Sequence, residues 1–345
     1  MDAQLLSTRS ARAPGEVVER LLAVQAQELR GFRLAVRARS TELGVADVDR
    51  ALEDGTLVVG WLNRGTLHLV RREDYWDLFA LTTPQLLTTS RRRLAQEGVS
   101  PEHVERGVAV VREALTAGPR TRAELKLLLE DANVPVAGQA LVHVLYAASL
   151  RGLLLRGPMR DGEQAFIAAA DQVGPRPDLD VGEAAVRLAR RYLAGHGPAS
   201  AHDLARWAGL PLGRARAAYA ALADEVQHLD DGLMGLAGRP EPAPLPGPRL
   251  LGQFDPLLHG WADRTPVTGA HADVVTSNGI FRPTLLVGGR VVGTWSMASG
   301  TLVVQCREPL SAHVLRAVEQ DAADVHRYLE SPGRTTIRRV DDGGG

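Results

Sequence analysis

Two stretches of the chain repeat one local pattern, and that repeat constrains the fold more than any other feature. Gly118-Pro119-Arg120-Thr121-Arg122-Ala123-Glu124-Leu125 is echoed by Gly197-Pro198-Ala199-Ser200-Ala201-His202-Asp203-Leu204. In each, Thr121 or Ser200 stands three residues before an acid, Glu124 or Asp203, which is the capping-box spacing that opens a helix. An amphipathic segment precedes each copy, PEHVERGVAVVREALTA and GEAAVRLARRYLAG. A further helical segment follows, GQALVHVLYAASLRG and LGRARAAYAALADE, and short β-like pieces around glycine close the unit. Helix, turn, helix, helix, hairpin is the winged-helix order. A degenerate third copy is readable at the N-terminus, where PGEVVERLLAVQAQ and VADVDRALEDG are helical and VVGWLNRGTLHLV is a hairpin.

Beyond the proline-dense GRPEPAPLPGP the pattern changes from helical to alternating. Branched apolar runs are separated by Asn278-Gly279, Gly288-Gly289 and Ser299-Gly300 turns, and a closing helix, SAHVLRAVEQDAADVHRYLE, follows. The expected fold class is therefore α+β, with tandem winged-helix domains followed by a small antiparallel β-barrel. The expected boundaries are a first winged-helix-like domain over 1–95, a second over 100–172 and a third over 180–238. A linker over 239–248, a barrel with its helix over 249–332 and a disordered tail over 333–345 complete the division.

Several function classes are disfavoured at once. No apolar run reaches the roughly 20 residues of a membrane helix, and MDAQLLSTRSARAPGE has no apolar signal core, so a cytoplasmic protein with no membrane role is expected. The only cysteine, Cys306, excludes an internal disulfide and a cysteine zinc site. There is no HExxH, no paired metal-ligand spacing and no Walker loop, so no metal and no cofactor are expected. Lys126 is the only lysine, in the helical AELKLLLE, which makes Schiff-base catalysis a poor fit.

A net charge of −1 means that any contact with nucleic acid must rest on local basic patches. The third helices of the repeats do not supply them. The first carries Asp47, Asp49, Glu53 and Asp54, the second is nearly all apolar, and only the last keeps Arg214 and Arg216. Basic density sits instead in LRGFRLAVRARS, with Arg30, Arg33, Arg37 and Arg39 and no acid, and in Arg91-Arg92-Arg93. Each cluster reads either as a solvated helix face or as a phosphate-contacting surface.

Four pieces in order carry a resemblance. They are Leu22-Ala23-Val24-Gln25-Ala26-Gln27-Glu28; Trp61-Leu62-Asn63-Arg64-Gly65-Thr66-Leu67-His68-Leu69-Val70; Gln253-Phe254-Asp255-Pro256-Leu257-Leu258 with Trp261 and Arg264; and Gly289-Arg290-Val291-Val292-Gly293-Thr294-Trp295. Together they resemble the winged-helix DNA glycosylases typified by AlkZ and YcaQ, over roughly residues 5 to 330. The resemblance implies tandem winged helices and a β-barrel wrapped as a concave surface for double-stranded DNA. It also implies that a Gln-apolar-Gln motif, here Gln25-Ala26-Gln27, carries catalysis. On an ideal helix residues i and i+2 point about 200° apart, so both amides converge only at a distorted helix end or across a bound nucleotide. Gly31 is read as the stop of that helix.

Two neutral amides suit one kind of leaving group. An N7- or N3-alkylated purine is already cationic, so its glycosidic bond is weakened before the enzyme acts. Positioning water beside C1′ and stabilising an oxocarbenium ion then suffices. The expected enzyme is a monofunctional glycosylase for N7-alkylguanine and N3-alkyladenine in duplex DNA, extending to interstrand crosslinks, with no obligate protein partner. Self-resistance to an alkylating natural product and housekeeping repair would use the same visible residues. In the same context Arg30, Arg33, Arg37, Arg39, Arg64, His68, Arg264 and Arg290 are expected to contact DNA, with Arg290 beside the Gly288-Gly289 hairpin as a minor-groove probe. Asp255 is expected to pair with Arg264 and hold the barrel against the site. The alternative is a non-enzymatic winged-helix DNA-binding protein or transcriptional regulator.

Overall fold

Both capping boxes form. In a computed structural model, Thr121 Oγ1 accepts from the Glu124 amide at 3.1 Å and Glu124 Oε2 accepts from the Thr121 amide at 2.6 Å. Ser200 Oγ and Asp203 Oδ2 repeat the exchange at 3.2 and 2.8 Å. The structure describes residues 1–339 except Asp161, Pro242 and Pro246, and for Ala272 and Arg339 the backbone only.

The first third of the chain contains α1 (Pro14–Leu21), β1 (Val24–Gln25), α2 (Leu29–Arg37), α3 (Val45–Glu53), β2 (Leu57–Trp61), β3 (Leu67–Arg71), α4 (Tyr75–Thr82) and α5 (Pro84–Gln96). Three helices and a hairpin then appear twice. The first set is α6 (Pro101–Thr116), α7 (Arg122–Asp131), α8 (Ala140–Ser149), β4 (Leu154–Arg160) and β5 (Glu163–Ala168). After a short α9 (Ala169–Val173) come α10 (Val181–His196), α11 (Ala201–Ala208), α12 (Leu212–Ala221), β6 (Val226–His228) and β7 (Met234–Leu236). The C-terminal part holds β8 (Arg249–Leu251), α13 (Pro256–His259), α14 (Thr265–Thr268), β9 (Thr284–Val287), β10 (Arg290–Ala298), β11 (Thr301–Cys306), α15 (Ala312–Tyr328) and β12 (Arg334–Arg339).

The first two units are not separate beads. Their hairpins merge into one sheet of order β1-β3-β2-β4-β5, joined by the antiparallel Val59–Arg156 pairing. The third hairpin, β6–β7, forms its own two-stranded sheet. Among the described residues no helix is long and apolar enough to cross a membrane.

Two expectations are corrected here. The C-terminal strands do not close into a barrel; they form an open sheet of order β12-β11-β10-β9-β8. Closure is unnecessary because both faces are already covered. Leu250, Leu285 and Val292 pack with Val318, Ala322 and Val325 of α15, while their neighbours Leu251, Leu286 and Val291 pack with Phe254, Leu257 and Phe281. The segment expected to be disordered from 333 is ordered as far as 339, where β12 pairs in parallel with β11 over Thr301–Cys306. The rest of that expectation, residues 340–345, lies outside the described residues.

Candidate active site

The Gln25-Ala26-Gln27 segment is not a helix end. Helix α1 stops at Leu21, Leu22 turns to φ 66°, and the chain enters β1, the edge of its sheet. Val24 pairs with Leu69 and Gln25 with His68, and the Ala26 amide donates to Leu67 O at 2.7 Å. Gln25 ends β1 and Gln27 lies in the bend that follows, so the backbone is not helical here and the difficulty a helix would pose does not arise. Gln25 Nε2 donates to Gln27 Oε1 at 2.6 Å. Gln25 is buried and Gln27 is exposed. The bond leaves Gln25 Oε1 as an acceptor and Gln27 Nε2 as a donor toward whatever enters.

Glu28, the next residue, is committed elsewhere. Its Oε1 accepts from the Arg30 amide at 3.1 Å and its Oε2 from the Gly31 amide, capping α2. Gly31 is therefore inside a helix and does not stop one. Glycine is required there because a Cβ would collide with the Gln253 carbonyl, where α2 crosses the strand-to-helix turn that follows β8.

His68 is opposite Gln25 and shares its sheet face. Val70, two residues on, and its partner Val58 pack with Tyr75, Tyr192 and Trp207, so this face is turned toward α10 and α11. His68 Nδ1 lies 3.0 Å from Thr66 O. Burial, reinforced by the Arg64 guanidinium, pushes the His68 imidazole down to about 3. It is neutral at pH 7, so it offers phosphate no positive charge. A second imidazole, His259 of α13, is held well below its ordinary value by burial and then by Arg64, His68 and Arg264. Its ring lies 3.8 Å from Phe281 and 5.9 Å from Phe254, centroid to centroid.

Arg64 occupies the β2–β3 turn at φ 55° and donates to the Trp207 carbonyl, and at 3.5 Å to that of Arg206, at the C-terminus of α11. Burial lowers its pKa, and the like charges of Arg206 and Arg264 add to this; a guanidinium stays charged nonetheless. Arg264 lies over Phe281 at 4.9 Å. A cleft of about 670 Å³ opens beside Arg64, lined by Trp61, Arg92, Arg93, His143 and Tyr146 among others and by no acidic residue.

Gln25, Gln27, Arg64, His68 and Arg264 are thus brought into one neighbourhood, whereas the α2 arginines mostly are not. Arg33 pairs with Asp49, with Nε at 2.8 Å. Arg37 pairs with Asp321 and Asp324, each at 2.9 Å. Arg39 grips Asp255 through two bonds of 2.8 Å. Arg37 is 1% and Arg39 0% exposed, and neither can reach a phosphate without unfolding its surroundings. The physical reason is that α2 is covered on all sides from Gly31 onward. Phe32, Ala35 and Val36 pack toward α1 and α3, and Leu34 packs toward the C-terminal sheet. Arg30 is exposed and donates to Met297 O at 3.3 Å.

The expected Asp255–Arg264 pair is absent: Asp255 binds Arg39 and caps α13 through the Leu257 amide at 2.9 Å. Arg290 is exposed, with its guanidinium beside Gly269, and the Gly288-Gly289 turn lies near Met1 and Leu245. Sequence reasoning missed Arg206, His259 and Phe281. Arg206 is an isolated arginine in AHDLARWAG, and His259 follows Asp255 by four residues with no pattern of its own, so no local signal singled them out. Among the described residues no three His, Cys, Asp or Glu side chains gather as a metal-binding group.

Comparison with known proteins decides what kind of site this is. Residues 18–328 match the model of a family described as DNA glycosylase AlkZ-like. The chain belongs to the AlkZ-like DNA glycosylases. An interstrand DNA cross-link repair glycosylase of Streptomyces sahachiroi is 31% identical to it, over 95% of this chain and 94% of that one. The solved structure of Streptomyces sahachiroi DNA glycosylase AlkZ superposes with a TM-score of 0.81 at 29% identity, covering 98% of this chain and 96% of the other. This AlkZ-like chain is accordingly an enzyme of the DNA glycosylase class, and the regulator alternative is set aside.

Proposed function

We propose that this AlkZ-like glycosylase hydrolyses the glycosidic bond of cationic N-alkylated purines in duplex DNA, N7-alkylguanine and N3-alkyladenine, and leaves an intact abasic site. In this reading Gln25 Oε1 and Gln27 Nε2 position water and the deoxyribose at C1′. The helix–helix–helix–hairpin units act as winged-helix modules that present the basic strip of Arg64, Arg92, Arg93, Arg206 and Arg264 to the backbone, with Arg30 and Arg290 as outlying contacts. The observation that carries the reading is the bonded pair of Gln25, at the end of an edge strand, and Gln27, in the bend that follows, with the nearest carboxylate in sequence, Glu28, turned away to cap a helix. An amide pair without a free carboxylate stabilises a cationic transition state only weakly, which restricts it to bases that leave easily. Lys126 pairs with Glu130 at 3.6 Å on the exposed side of α7 and supports the absence of Schiff-base lyase chemistry.

The name of the Streptomyces sahachiroi relative supports a finer reading, that interstrand crosslinks are unhooked as well. Crosslinks through two alkylated purines present the same cationic leaving group twice. The test is incubation with duplexes carrying a single N7-methylguanine or an N7–N7 interstrand crosslink. Released base, alkali-labile sites, separated strands and no borohydride-trapped adduct are expected. Uracil release at a comparable rate would refute the restriction to cationic bases.

A further inference from the structure

The hydrolysis of a cationic purine nucleotide has a proton balance that the two glutamines do not close. The C1′–N bond breaks and its electron pair neutralises the purine, so no acid is needed. Water adds to C1′, and one proton must leave that water. A glutamine carbonyl accepts a hydrogen bond but is far too weak a base to hold a proton. Three carboxylates of the surrounding elements are engaged: Glu28 caps α2, Asp49 pairs with Arg33, and Asp255 pairs with Arg39.

His68 is the group on the same sheet face that has a free lone pair. It stands directly opposite Gln25 in the β1–β3 register. Its Nδ1 is 3.0 Å from the Thr66 carbonyl, an acceptor, so Nδ1 carries the hydrogen and Nε2 the lone pair. We propose that His68 Nε2 accepts the proton of the attacking water, which makes His68 a third catalytic residue beside Gln25 and Gln27. The inference rests on the reading that cationic purines are the substrate.

The surroundings keep the ring unprotonated before the reaction and also weaken it as a base, so it relays the proton onward and does not retain it. Arg64 from the β2–β3 turn and His259 from α13, with Arg264 behind it, face the ring, and no carboxylate is among the groups that act on it. Burial and Arg64 keep the imidazole neutral throughout the physiological range. A neutral imidazole also adds no positive charge beside a cationic base and a forming oxocarbenium ion. Because it carries no spare proton, it cannot protonate the leaving group of an uncharged lesion. The proton taken from water passes on to solvent, and the cycle closes.

The experiment is single-turnover excision of N7-methylguanine by wild type, Gln25→Ala, His68→Ala and His68→Phe, with duplex affinity measured in parallel. Phenylalanine keeps the ring packing and removes both nitrogens. Both His68 variants should be slower by about 10²-fold with affinity for duplex unchanged. Added imidazole should restore His68→Ala and leave His68→Phe and Gln25→Ala as they were. Excision by His68→Phe at the wild-type rate, or a slow His68→Ala that imidazole does not restore, would overturn the assignment. If wild type itself releases no N7-methylguanine, the substrate reading falls and takes this one with it.

Discussion

Two groups of arginines in this molecule have the same composition and opposite fates. Those of α2 and its C-terminal extension, Arg33, Arg37 and Arg39, form a dense run without an acid in sequence, yet each ends in a bond to a distant carboxylate. Those around the glutamine pair, Arg64, Arg206 and Arg264, are scattered along the chain, and among the described residues none of them forms an ion pair with a carboxylate. The comparison teaches that the density of arginine in sequence says little about phosphate binding. What matters is whether the fold brings an acid to the guanidinium. Arginine suits both uses because its planar fork matches carboxylate and phosphate alike.

The largest effects should come from the first group, and they should be losses of stability. Arg39→Ala leaves Asp255 as an unpaired carboxylate at 0% exposure, inside the contact that seats α13. Breaking one partner of a buried pair costs roughly 3–5 kcal/mol. Urea unfolding should show that loss for Arg39→Ala and a similar one for Arg37→Ala. A midpoint unchanged in both would mean these pairs do not hold the protein together.

Gln25→Ala should sharpen the contrast from the other side, with stability kept and chemistry lost. Removing one positioned amide costs about 10²–10³ in rate, and less on so activated a leaving group. Single-turnover excision and thermal unfolding of the same preparation check both halves. A variant that unfolds early would make Gln25 a structural residue.

Much of this architecture was legible in the sequence, and the remainder was not, for definite reasons. The capping boxes at Thr121 and Ser200 are local, decided within four residues, and both were readable. The Gln25-Ala26-Gln27 motif was readable as a candidate, but its geometry was not. Whether the chain after Leu21 stays helical depends on an edge position beside Leu67–Leu69, some forty residues away. The partners of the α2 arginines are more remote still: Arg37 meets Asp324 287 positions on, and Arg39 meets Asp255 216 positions on. The open C-terminal sheet was misread as a barrel because alternation reports which faces are buried and not what buries them.

The free arginines should give smaller, salt-dependent effects. Arg206→Ala, Arg92→Ala and Arg93→Ala should each lower the slope of log affinity against log salt by about 0.9 if each contributes one phosphate contact. Arg33→Ala, whose partner is Asp49, should leave the slope as it is. Equal slopes for wild type, Arg206→Ala and Arg93→Ala would move the DNA-binding surface elsewhere on the molecule.

The smallest expected effect is a dependence of stability on acid, and it belongs to the committed group alone. Burial tends to raise the Asp324 carboxyl, but Arg37, Arg327 and Arg9 outweigh it and bring the group to about 2 from its ordinary 3.8. A carboxyl whose folded-state pKa lies below its unfolded one stabilises the fold fully above the unfolded value. That contribution is lost as the pH falls from about 4 toward about 2. Asp324→Asn removes the titrating group, so the variant should be less stable than wild type at pH 7 and should lose less on acidification across that window. The free arginines have no carboxylate partner to protonate, so Arg206→Ala should follow the wild-type acid profile throughout. Parallel curves for wild type and Asp324→Asn between pH 5 and pH 2.5 would mean that Asp324 is not held in its charged form by Arg37, and that the line between the two groups of arginines is drawn in the wrong place.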